Sequence, residues 1–177
     1  TFLMMAIWIL FIGELSAASE MNGLIVSLIF MGLTGGFLVK DLDRPDRFLY
    51  VILRPQWKSW LVRGAYIITI FGGLVTLKLV GNIFEISMNW NWIIGGIFAI
   101  LGAVYTAFLF AQARARDLWQ TPIQSAIHML VHAIMAGSVV MMVVAPESSQ
   151  WMANILLWGV VANMFIMAKE ILMPHDT

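Results

Sequence analysis

The chain contains no cysteine. That excludes disulfides, thiolate zinc sites and iron–sulfur clusters held by its own side chains. Charge is scarce as well. Asp, Glu, Lys and Arg make up 11% of the residues, with ten bases against ten acids. Soluble domains carry about 25% charged residues. A chain with no net field offers nothing to nucleic acid. An initiator Met and a signal-peptide pattern are also missing. What the chain has is oil: 61% of its 177 residues are apolar, against about 45–50% in a soluble domain. A soluble protein of this size would have to wear much of that surface on its exterior.

Six apolar runs can be read along the chain. They extend from Thr1 to about Met21, about Asn22 to Val39, about Trp60 to Val80, about Trp92 to Gln112, about Pro122 to Ala145, and about Trp151 to Leu172. A spanning helix needs about 20 such residues. Lipid cannot satisfy an open backbone, and nothing here alternates like barrel strands, so the runs are expected to be helices. The expected fold class is all-α: a polytopic transmembrane helix bundle of about six spans. Small residues such as Gly32, Gly35, Gly36, Gly95, Gly96 and Gly102 let helix backbones approach closely. Glu14 interrupts the first run early. The chain opens inside an apolar run and closes on a loop-like Pro174-His175-Asp176-Thr177. Residues 1–177 are therefore expected to be a single transmembrane domain truncated at both ends.

Charge sorts the loops. If the spans alternate in direction, one side receives Lys40, Arg44, Arg47, Arg54, Lys58, Arg63, Arg114, Arg116 and Lys169. The other side receives only Lys78. The positive-inside rule assigns the basic side to the cytoplasm. The opposite side carries Glu20, Glu85 and Glu147.

The long basic loop interleaves acids and bases from Lys40 to Arg63. Pro45 and Pro55 stop helices there. Residues 49–53 between them read as a short interfacial element, with Trp57 and Trp60 at headgroup level. A topogenic loop with snorkelling bases explains this pattern. So does a docking platform, because guanidinium forks suit carboxylates on a peripheral partner.

The run Asp41-Leu42-Asp43-Arg44-Pro45-Asp46-Arg47-Phe48, then Leu53-Arg54-Pro55, Ser59-Trp60 and Arg63-Gly64-Ala65, resembles the hallmark loop of the NrfD family. These are the polysulfide-reductase-type (PsrC-like) membrane subunits. Tyr105-Thr106-Ala107-Phe108-Leu109 with Leu118-Trp119-Gln120-Thr121-Pro122 is similar to a second family stretch. Lys169 to His175 is similar to a third. Ala107 replaces the usual glycine after the tyrosine, and Trp119-Gln120 replaces Trp-Asn. The family usually has eight spans, so the last two and the start of the first would lie outside this chain.

The resemblance implies a quinone-interacting subunit with no haem or iron–sulfur cluster of its own, in a prokaryotic cytoplasmic membrane. Its quinone would be menaquinone or ubiquinone. Its partner would be an iron–sulfur subunit, with a molybdopterin or multihaem cytochrome subunit beyond. Asp41, Arg44, Arg47, Arg54, Arg63 and Trp119 are the loop residues implied to roof the quinone pocket and meet the partner. In many relatives that docking side faces outward, opposite to the side the charge count assigns.

Ionisable groups inside spans are costly and are functional candidates by default. Tyr105 lies in the fourth span, about two turns from the basic loop. A phenol can donate a hydrogen bond to a quinone carbonyl, and the corresponding tyrosine lines the site in relatives. An interhelical hydrogen bond is the alternative. His128 and His132 stand four apart on the fifth span and share a face. Either could pass protons to a quinone, or both could be packing residues with satisfied nitrogens. Tyr105 and His128 are expected at similar depth. Glu14 is either a proton carrier or the end of a span. Tyr66 reads as packing, and Glu170 as an interface residue beside Lys169.

Two other functions suit a polytopic bundle of this size. A di-haem cytochrome b anchor needs axial histidines from two facing helices, but only the fifth span carries any. A transporter or channel tends to show repeats and broken helices. Gly72-Gly73 and Gly95-Gly96 hint at this, without a repeat.

Overall fold

The structure is a computed structural model that describes residues 1–40, 56–111 and 122–172. Its elements are helices α1 (Phe2–Phe11), α2 (Ala17–Lys40), α3 (Trp60–Ile83), α4 (Trp90–Ala111), α5 (Pro122–Val144) and α6 (Ser149–Leu172), with a 3₁₀ turn at Pro146–Ser148 before α6. Five of them, α2 to α6, are long and apolar enough to cross a membrane. The chain is an all-helical integral membrane bundle.

The first apolar run departs from expectation. It gives ten helical residues, then a break over residues 12–16, and Glu14 lies in that break. Residues 17–21 belong instead to α2. The cause is a cap. The Ser16 hydroxyl accepts the Ser19 backbone N–H at 3.2 Å, satisfying one of the donors a helix start leaves open. The Ser16 N–H in turn donates to the Glu147 carboxylate at 3.2 Å.

Consecutive helices pack side by side from α2 to α6, and α1 lies against α2, α4 and α5. Glycines make its seat. A Cβ at Gly23 of α2 would collide with Met5, one at Gly95 of α4 with Phe2, and one at Gly137 of α5 with Met4. Phe2, Met4, Met5 and Ala6 are buried in consequence. Phe2 also meets Phe71 edge-on at 5.4 Å and Trp92 at 5.1 Å. On the outside, large apolar side chains stand free: Val143 is 76% exposed and Phe165 72%. In water such a surface would aggregate; in a bilayer it meets hydrocarbon.

The connections at one end confirm the alternation of the spans. Lys78 near the end of α3 pairs with Glu20 near the start of α2 at 3.2 Å. Asn82 donates to the same carboxylate oxygen at 2.6 Å. With the Ser16–Glu147 contact, this gathers Glu20, Lys78 and Glu147 at one end of the bundle, opposite Lys40 and Arg63.

The turn after α3 carries a strained residue. Ile86 N–H donates to the Gly81 carbonyl at 2.8 Å and Glu85 N–H to that of Asn82 at 3.3 Å. This double closure places Glu85 in the left-handed region, at φ 57°, where glycine is the usual occupant. A left-handed L-residue costs about 1–2 kcal/mol. Glu85→Gly is expected to stabilise the detergent-solubilised protein by up to about 1 kcal/mol, since glycine's extra unfolded-state freedom offsets part of the relief. A lower thermal midpoint for the variant would contradict this.

Candidate functional site

Between α1 and the helices around it lies a cavity of about 320 Å³. Phe2, Ser27, Thr34, Phe71, Tyr105 and Gly137 are among its walls, so all five of α1 to α5 contribute. Most of the lining is apolar or small. The Ser27 hydroxyl donates to the Gly23 carbonyl at 2.6 Å and that of Thr34 to Phe30 at 2.8 Å. Both keep lone pairs with which to accept from a ligand.

Tyr105 is the most versatile polar group on this wall, a hydroxyl that can donate as well as accept. Its side chain is buried, and its ring lies directly against Gly64 of α3. Among the described residues none takes up its hydroxyl. Six residues separate it from Ala111, about 9 Å along the helix at 1.5 Å per residue. It therefore stands in the half of the bundle nearer the basic loops.

Arg63, one residue before Gly64, is held in place. Its Nε donates to the Trp57 carbonyl at 2.7 Å. Its guanidinium lies 4.8 Å above the Trp60 ring. Trp60 stacks on Phe108 of α4 at 4.6 Å with planes only 15° apart. Tyr66 packs against Trp57 at 4.9 Å, as the packing reading expected.

His128 has different company. It is not among the described residues that line the cavity. Its Nε2 lies 2.8 Å from Asn163 Oδ1 on α6, and the Nε2 of His132 lies 2.9 Å from the same oxygen. The two imidazoles meet edge to face at 4.5 Å. A carbonyl oxygen with two lone pairs can accept from both, provided each ring carries its proton on Nε2. The Asn163 amide nitrogen contacts Met167 sulfur at 3.7 Å. This is a polar clamp between α5 and α6. The shared face of the two histidines was legible in their spacing; Asn163 was not singled out. Asp41, Arg44, Arg47, Arg54 and Trp119 lie outside the described residues, as do Arg114, Arg116 and residues 49–53.

A second cavity, about 390 Å³, opens at the acidic end of the bundle and is lined by Glu14, Glu20, Lys78, Asn89 and Trp92 among others. The Lys78 ammonium sits 5.1 Å above the Trp92 ring as well as on Glu20. In the charge count Lys78 is the one base on its side. A lysine inside an apolar run is itself the signal that a carboxylate faces it. Among the described residues no three His, Cys, Asp or Glu side chains gather as metal ligands would.

A family model described as polysulphide reductase, NrfD, matches residues 2–168. The chain belongs to the NrfD family. The match runs across all six helices, so the motif loop and Tyr105 sit within one continuous NrfD region. No curated protein and no solved structure matches the chain.

Proposed function

We propose that this NrfD protein is a haem-free quinone-reactive subunit of a respiratory oxidoreductase complex in a prokaryotic cytoplasmic membrane. It exchanges electrons between menaquinone or ubiquinone and an iron–sulfur subunit docked on its basic loops. A molybdopterin or multihaem cytochrome subunit lies beyond that partner. The observation that carries this reading is the intramembrane cavity with Tyr105 on its wall. Its volume falls at the lower end of the roughly 300–1,000 Å³ typical of small-molecule sites. Its apolar walls suit a quinone ring, and its few polar groups suit the ring oxygens.

The chemistry follows from what a quinone requires. Reduction places charge on the carbonyl oxygens, and each must gain a proton. Tyr105 holds one oxygen by donating to it, while Ser27 and Thr34 accept from a hydroquinone hydroxyl. The other redox centres reside in the partner, which supplies or removes the electrons. Nearness of Tyr105 to the basic end keeps the ring close to a cluster docked there. Arg63 holds the start of α3 beneath that docking surface. His128 is kept as a second proton group only through its place on α5, since Asn163 engages its ring.

Charge reversal tests the partner. Arg44→Glu with Arg47→Glu is expected to release the iron–sulfur subunit from isolated membranes while the NrfD chain remains. Full retention of that subunit after both reversals would exclude docking on this loop.

A further inference from the structure

The geometry points to Gly64 as the residue that positions the phenol of Tyr105 for its ligand. This rests on the proposed quinone site and adds to it a determinant on a different helix. Gly64 is buried in α3 and has no role of its own in binding. A Cβ built there would collide with Cδ2 and Cε2 of the Tyr105 ring and stand 3.3 Å from Cζ. The ring therefore rests on bare backbone. Closeness of this kind holds a side chain against one wall without a hydrogen bond, because any larger residue takes the same volume.

Sliding α3 along α4 is resisted. On the side toward the basic loop, Trp60 of α3 stacks on Phe108 of α4, three residues beyond Tyr105. Arg63 caps that stack and is tied to the Trp57 carbonyl. The two helices are thus pinned within one turn of the Gly64–Tyr105 contact. A methyl at position 64 is accommodated by moving the ring away from α3, which shifts the hydroxyl relative to Ser27 and Thr34 across the cavity. Catalytic hydrogen bonds weaken steeply with such shifts. The sequence places Gly64 directly after Arg63 in the motif stretch, and the structure supplies a reason for glycine there.

The test uses the intact membrane complex carrying 3-fluorotyrosine. The chain has three tyrosines, so it contributes three fluorine resonances, and Tyr105→Phe identifies that of Tyr105. Gly64→Ala is expected to move the Tyr105 resonance and to lower quinol turnover about fivefold or more, the equivalent of one lost hydrogen bond. Gly73→Ala on the same helix has nothing within 4 Å of the added carbon and is expected to do neither. An unmoved resonance with normal turnover in Gly64→Ala, while Tyr105→Phe is impaired, overturns the role of Gly64 and leaves the quinone site standing. Normal turnover in both variants takes Tyr105 out of the quinone site, and the positioning role of Gly64 falls with it. If Gly64→Ala fails to assemble, Gly64→Ala/Tyr105→Leu is expected to restore assembly by removing the ring. Failure of that rescue shows that the methyl clashes elsewhere and overturns the proposal.

Discussion

Tyr105→Phe is expected to slow quinol turnover about fivefold or more while the complex assembles normally. The substitution removes one oxygen and keeps the ring, so packing against Gly64 is preserved. A hydrogen bond contributes about 1 kcal/mol net, or about fivefold in rate if it acts in the transition state. The loss grows toward 3 kcal/mol, roughly a hundredfold, when its removal strands a polar atom in a dry cavity. In the proposed site a quinone oxygen deprived of its donor would approach that limit, because most of the lining is apolar. Steady-state quinol kinetics and the affinity of a quinone-site inhibitor measure the effect. Wild-type values for both in Tyr105→Phe would take Tyr105 out of the site. His128→Ala serves as the comparison. Its ring engages Asn163 of α6, so its larger effect is expected on thermal stability.

Lys78→Met is expected to be the most damaging single change to stability. It leaves the partly buried Glu20 carboxylate without its cation. Breaking a buried pair costs about 3–5 kcal/mol. The Glu20 side chain is 19% exposed and borders the open cavity, so the expected loss is smaller, about 2–4 kcal/mol. Asn82 remains on the carboxylate but supplies no charge. The Trp92 face is left uncovered as well, which adds packing loss to the electrostatic one. The companion variant Lys78→Met/Glu20→Gln is expected to recover most of the stability, since it removes the stranded charge. Thermal unfolding in detergent separates the cases. Equal loss in the single and double variants would mean that packing of the lysine stem, not the ion pair, is what matters.

The long helices were readable from hydropathy alone because lipid imposes their length. The spans expected at about 60–80, 92–112, 122–145 and 151–172 form as α3 to α6, with ends moved by no more than a few residues. The error fell where two apolar runs adjoin. Ser16 was present in the sequence as a cap, but a continuous apolar reading passed over it. The side-chain partnerships were less legible. Four-residue spacing puts His128 and His132 on one face, yet nothing in α5 says that the facing residue is Asn163. Likewise Glu20 and Lys78 could be placed on one side by counting loops, but their contact depends on how α2 meets α3. Tyr105 is legible as a polar group inside a span and through the family resemblance, whereas Gly64 beneath it emerges only from the packed structure. Periodicity reports what faces a residue in kind; identity requires the crossing of two particular helices.

The seat of α1 has a consequence for biogenesis. Met4 rests on Gly137 and Phe2 on Gly95, although α1 leaves the ribosome before α4 and α5. At 5–20 residues per second, synthesis reaches Gly137 roughly 7 to 27 seconds after Met4. Throughout that interval the glycine grooves that receive Phe2 and Met4 are incomplete, and those side chains must be held by lipid or by an insertion factor. Closure of the bundle around α1 is therefore a late event in assembly, and the cavity that α1 helps to wall acquires its shape only then. Nascent chains arrested before α5 would carry every residue of α1 and most of those that line the cavity, yet no finished pocket.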